Sequence, residues 1–85
     1  MRQVVFENIA RRQFFEWEKK DKKIFIKIAQ LIDECRKEPF TGTGKPEALK
    51  HQLKGYWSRR ITHEHRLIYK VTETQIIVIA CKYHY

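Results

Sequence analysis

The chain has 85 residues, with 18 Lys or Arg against 10 Asp or Glu, a formal net charge of +8, a pI near 9.7 and 42% hydrophobic residues. That length holds one core rather than two, and the hydrophobic share is too high for a disordered tail. No apolar run approaches the ~18 residues of a membrane span, the opening MRQVVFENIARRQ carries no signal-peptide h-region, and two cysteines build no disulfide framework, so a cytoplasmic protein is expected rather than a membrane protein or a secreted precursor.

In chain order, residues 3–6 (QVVF) read as a short first strand. Asn8 is the expected N-cap of a helix over 9–20, with Ala10, Phe14 and Trp17 on one stripe. Asp21 is the expected N-cap of a second helix, whose Ile24, Ile28, Leu31, Ile32 and Cys35 keep helical spacing until Pro39 stops it. Two helices so close in sequence predict an αα-hairpin. Residues 39–46 (PFTGTGKP) hold both prolines and two of the three glycines, and read as a loop. Residues 47–54 suggest a short helix packing Leu49 and Leu53. After Gly55, residues 56–62, 65–71 and 75–83 read as three successive strands of a meander. The last is apolar at both parities from Ile76 to Ala80 and is expected to lie inside the sheet. The fold class is α+β: a single small domain over 1–85, β-α-α-β-β-β, with an antiparallel meander and two helices packed on one face. The other face is left available for a site.

Positive charge concentrates in the second half. Residues 41–85 carry 8 basic and 3 acidic side chains and all 4 histidines, against 10 basic and 7 acidic in residues 1–40. Such a balance suits a polyanionic partner. Gly42-Thr43-Gly44-Lys45 lacks the spacing of a phosphate loop, and Pro46 stands where a magnesium-binding hydroxyl is needed, so it reads as a turn. His63-x-His65 and the two distant cysteines share no short ligand spacing. No metal and no cofactor are expected, and Cys35 and Cys81 read as small core residues.

The remaining polar residues match what RNA cleavage by its own 2′-hydroxyl requires: a base, an acid and cations around the phosphorane. Glu47 is an isolated carboxylate flanked by Lys45 and Lys50. Arg59, Arg60 and Arg66 offer guanidinium groups on strands, where they are held more rigidly than on a loop. His84 titrates near neutrality. Tyr56, Trp57, Tyr83 and Tyr85 interleave with these charges, as base-stacking rings do. Each also has a plainer reading. Glu47 suits a helix N-terminus electrostatically, the arginines suit a solvated strand or pairs with Glu64 and Glu73, and Trp57 and Tyr69 suit the core.

Residues 44–85 resemble the C-terminal half of the YoeB/Txe toxins of the RelE superfamily. The matching pieces are Gly44-Lys45-Pro46-Glu47, Leu49-Lys50-His51, Trp57-Ser58-Arg59-Arg60-Ile61, Glu64-His65-Arg66-Leu67 and the final Tyr83-His84-Tyr85. Trp17, Asp21-Lys22-Lys23 and Pro39-Phe40 extend the resemblance more loosely through the first half. His63 departs from it, standing where an acidic or small polar residue is expected. The resemblance implies a RelE-like fold and a type II toxin that cleaves mRNA in the ribosomal A site without a metal, countered by a YefM/Axe-like antitoxin. It implies Glu47 as general base, His84 as general acid and Arg66 at the transition state. Lys50 and Arg60 are then phosphate contacts, His51 lies near the RNA, and Tyr85 packs near the substrate base; Arg59, on the same basic strand, is also expected to bind RNA. The expected partners are mRNA and 16S rRNA at the A site and the antitoxin; a homodimer is allowed. The rival readings are a non-catalytic basic RNA-binding module and an inactive toxin that serves only as antitoxin partner or corepressor.

Overall fold

The computed structural model describes residues 1–83. Its elements are β1 (Gln3–Phe6), α1 (Asn8–Lys20), α2 (Lys22–Lys37), β2 (Glu47–Ala48), a 3-10 turn (His51–Leu53), β3 (Tyr56–Arg60), β4 (Arg66–Val71) and β5 (Gln75–Ala80). The strands form one mixed sheet in the order β1-β5-β4-β3-β2, with β1 parallel to β5 and the other pairs antiparallel. β5 is therefore interior, flanked on both edges as its double-sided apolar pattern requires, while β4 is the middle strand. Among the described residues, no helix is long and apolar enough to cross a membrane.

The helical hairpin forms where the spacing predicts it. Asp21 ends α1 by donating its N–H to the Trp17 carbonyl at 2.9 Å. It also begins α2, accepting from the Lys23 and Ile24 amides on its side chain, a cap ordinarily worth about 1 kcal/mol. The stripes Ala10/Trp17 and Ile28/Leu31/Ile32/Cys35 are buried against Leu67, Tyr69, Ile76, Val78 and Cys81, with Val4, Phe6 and Phe14 packed at the margin. Both thiols are thus core groups.

Three element ends and one expected helix differ notably from expectation, each because tertiary hydrogen bonds override a local preference. Glu7 rather than Asn8 sits at the cap of α1, without a side-chain cap bond. Its amide is still held by the Val78 carbonyl at 3.0 Å, so the sheet decides where the helix begins. β3 ends at Arg60, and the Ile61 and Thr62 amides turn back to the His65 carbonyl. β5 ends at Ala80 because α1 takes over the next residue: Gln13 accepts from the Cys81 amide at 2.7 Å, and the Trp17 indole donates to the Cys81 carbonyl at 2.9 Å. The helix expected over 47–54 is absent. Residues 47–48 instead pair with β3 as an edge strand, and His51 adopts a positive φ of 59°. A helix of two turns is marginal by itself, whereas the β3 edge offers immediate partners.

Candidate active site

Register decides which side chains share a face, because residues two apart on a strand and directly opposite neighbours point the same way. Glu47 pairs with Ser58, and Ser58 with Ile68. Arg60 pairs with Arg66, and Tyr56 with Lys70. Glu47, Ser58, Arg60, Arg66, Tyr56 and Lys70 therefore share one face. Trp57, Arg59, Leu67 and Tyr69 share the other, against the helices. β2 and β4 flank β3, and Arg66 stands two residues along from the Glu47–Ser58–Ile68 row, so Glu47 and Arg66 lie roughly 12 Å apart on this face.

The backbone places the members of this face, and of their side chains only that of Arg66 makes hydrogen bonds among the described residues. Glu47 is exposed on β2, delivered there by the 39–46 loop. Gly44 makes that delivery possible: its carbonyl accepts from the Arg60 amide at 2.7 Å. A side chain at Gly44 would press on the Arg60 carbonyl at 3.0 Å and the Arg59 Cβ at 3.2 Å, at a φ of +85°. Lys50 and His51 are exposed just beyond β2, at the start of the 3-10 turn. Arg60 is exposed. Arg66 is half-buried, and its guanidinium donates to the carbonyls of Thr62, His63 and His65 at 2.9, 3.1 and 3.2 Å. The β3–β4 turn thus fixes the fork of Arg66 in place. His84 and Tyr85 lie outside the described residues.

Arg59 corrects the expectation that it contacts RNA. It is fully buried on the helix side, and all five of its N–H donors are used. Nε donates to the Tyr69 hydroxyl at 3.1 Å; the other four donate to Glu34 and to the carbonyls of Thr43, Glu38 and Thr41 at 2.6–3.1 Å. No donor remains for a phosphate. Its acidic partner is Glu34 on α2, rather than Glu64 or Glu73. Burial opposes the guanidinium charge, but the bonds to Tyr69 and Glu34 hold its pKa above the usual value. The Thr43 amide, with Arg59 assisting, holds the Glu34 carboxyl below the usual range despite some loss of solvent around it. Burial pushes the Tyr69 phenol well up, so it remains protonated and donates to the Pro39 carbonyl at 2.7 Å. The cluster ties the root of the 39–46 loop to α2 and to β3. Arg59 alternates with Ser58 and Arg60 along the strand, and that parity is the signal in the sequence that separates it from them.

His65 is the residue whose importance sequence reasoning missed. It is buried, edge-on to Trp17 with ring centroids 4.7 Å apart, while His63 is exposed, so the two histidines share no environment. The His65 Nδ1 accepts from the Tyr83 amide at 2.8 Å, and the Arg66 amide donates to the Tyr83 carbonyl at 2.8 Å. The parity of His65 with Leu67 and Tyr69 marks it as inward-facing.

The family described as the YoeB-like toxin of bacterial type II toxin–antitoxin systems matches residues 6–85. Toxin YoeB of Escherichia coli strain K12 is 54% identical over 72 residues, covering 85% of this chain and 86% of that protein. The solved YoeB/ParE toxin from Agrobacterium tumefaciens superposes with a TM-score of 0.94 at 40% identity, covering 98% of this chain and 99% of that one. A chain of the heterotetrameric YoeB–YefM toxin–antitoxin complex from Staphylococcus aureus gives 0.90 at 41% identity, covering 100% and 99%. With a family match over nearly its whole length and a sheet-and-hairpin architecture shared with those toxins, this chain belongs to the YoeB-like toxins of bacterial type II toxin–antitoxin systems.

Proposed function

We propose that this toxin is a ribosome-dependent endoribonuclease that cuts mRNA in the A site. The reading is carried by one observation: Glu47, Arg60 and Arg66 share the helix-free face, two cations beside a carboxylate that would otherwise repel phosphate. Glu47 takes the proton of the 2′-hydroxyl as that oxygen attacks the adjacent phosphorus. The bond from phosphorus to the 5′-oxygen breaks, and His84 supplies the proton to the departing oxygen. The products are a 2′,3′-cyclic phosphate and a free 5′-hydroxyl. Arg66 meets the charge that builds on the phosphorane, with its fork already aligned by the turn carbonyls. Arg60 and Lys50 contact flanking phosphates, His51 lies near the RNA, and Tyr85 packs near the substrate base. The chemistry needs no metal.

Dependence on the ribosome follows from size. A domain with principal extents of 32 × 28 × 24 Å has little area with which to bend an RNA chain into line, and such alignment is worth several kcal/mol of barrier. The decoding site already holds the message, and its rRNA offers a basic protein a large anionic surface. An acidic antitoxin of the YefM kind is the expected partner, as the S. aureus relative is solved with YefM. Toeprinting on a translated mRNA tests the proposal, comparing the wild type with Glu47→Ala. A-site cleavage by the wild type, lost in the variant at unchanged ribosome binding, is the expected result. Equal cleavage by both, or naked RNA cut as fast as ribosome-bound message, overturns it.

A further inference from the structure

We propose that His65 is a positioning residue whose neutral imidazole clamps Tyr83 and so sets the point from which the chain runs on to His84; the catalytic consequence rests on the reading of His84 as the acid. A backbone N–H can only donate, so the Nδ1 that lies 2.8 Å from the Tyr83 nitrogen must be the bare acceptor. The ring proton then sits on Nε2, which faces the Glu64 carboxylate at 3.6 Å. The second backbone group of Tyr83, its carbonyl, accepts from the Arg66 amide at 2.8 Å. Consecutive residues therefore grip both backbone polar groups of one residue, and the second of them carries the guanidinium assigned to the phosphorane. Tyr83 also has a φ of 59°, a left-handed value that tyrosine rarely adopts. Two specific bonds hold it there. Nothing in the alternation of β4 requires a histidine at 65; a leucine would fill an inward-facing position but would accept nothing.

The clamp works in one protonation state only. A charged imidazole carries protons on both nitrogens, so it would set N–H against the Tyr83 N–H and release it. The charged groups on the ring and on the aromatic rings packed against it come from four elements. Glu64 faces Nε2 from the β3–β4 turn, and the Arg66 side chain donates to the His65 carbonyl at 3.2 Å. From the segment after β5, Lys82 lies over Trp17 and Tyr83 and pairs with Glu16 of α1 at 4.0 Å, while Lys20 of α1 lies over Trp17.

The experiment follows the Tyr83 amide by NMR in the isolated full-length toxin across a pH series. The His65 nitrogen shifts report protonation and the Leu67 amide reports global unfolding, beside single-turnover cleavage of ribosome-bound mRNA. In the wild type, Tyr83 protection should vanish over the same pH range in which Nδ1 gains its proton, while Leu67 stays protected. His65→Leu should raise Tyr83 exchange about tenfold or more at pH values where the wild-type imidazole is neutral and, there, lower the cleavage rate about tenfold or more without changing ribosome binding. His65→Asn, which keeps an acceptor near the Nδ1 position but does not titrate, should restore most of both and remove the pH dependence. Tyr83 protection that persists through His65 protonation, or is equal in a folded Leu variant, overturns the clamp; if the Leu variant does not fold, the wild-type pH series decides. The amide measurement involves no RNA, so a wild type with the clamp intact and no cleavage would overturn the nuclease reading alone.

Discussion

Arg60 and Arg66 stand directly opposite one another on β3 and β4, a cross-strand position in which like charges destabilise a sheet. Among the described residues, neither has a carboxylate within 4.0 Å. The pair is a cost to the fold that, on the proposed function, RNA phosphates would offset. Arg60→Gln should therefore leave stability unchanged or raise it by about 0.5 kcal/mol, yet reduce the log–log salt slope of ribosome association by roughly one. An unaltered slope would place Arg60 outside the phosphate interface.

Arg66 is the more specific of the two, because three turn carbonyls hold its fork in a set direction. Arg66→Ala should lower single-turnover cleavage by about 10²–10³-fold. Arg66→Lys should recover little of that, since a point charge does not reproduce two parallel donors. Full activity with lysine would mean that simple neutralisation of phosphate is enough.

Glu47 is exposed on an edge strand and has no structural bond to lose from its side chain among the described residues. Glu47→Ala should shift stability by no more than about 0.5 kcal/mol while cutting the cleavage rate by about 10²–10⁴-fold. A matching loss of ribosome binding would make it a recognition residue rather than a base.

Arg59 predicts the opposite pattern. Arg59→Ala removes a donor from Glu34, from Tyr69 and from the carbonyls of Glu38, Thr41 and Thr43, a loss on the order of 4 kcal/mol. Urea titration should show it, and any fall in activity should follow the unfolded fraction. Glu34, with a lowered carboxyl pKa, adds a pH dependence. Its contribution is complete above the ordinary glutamate value of about 4.3 and is lost as pH falls through the lower folded-state value. Glu34→Gln should lack that acid-side decline, so the stability gap from wild type should close below that range; a constant gap would remove the carboxylate from the account.

Cys35 and Cys81 are both fully buried, and burial pushes both thiols up, Cys81 to about 12. Native protein should resist iodoacetamide at neutral pH and take up two labels once unfolded in urea. Rapid labelling of either thiol in native protein would contradict its place in the core.

Helix positions, the αα-hairpin, the meander and the inward stripes were legible from residue order, because periodicity and capping act over a few neighbours. Asp21 and the stripe from Ile28 to Cys35 are cases where local chemistry and final packing agree. The resemblance also drew attention to Glu47 and Arg66. Sequence could not show that Glu47 would join a sheet edge rather than open a helix, since that depends on Ser58, eleven positions away in the chain and adjacent only after folding. Nor could composition separate Arg59 from Arg60. Identical side chains one residue apart face opposite sides of a strand, and one meets the carbonyls and Glu34 beneath the 39–46 loop while the other meets solvent. The partners of Tyr83 were hidden for the same reason. Hydrogen bonds over such separations depend on which surfaces the closed fold brings within 3 Å, and only tertiary structure decides that.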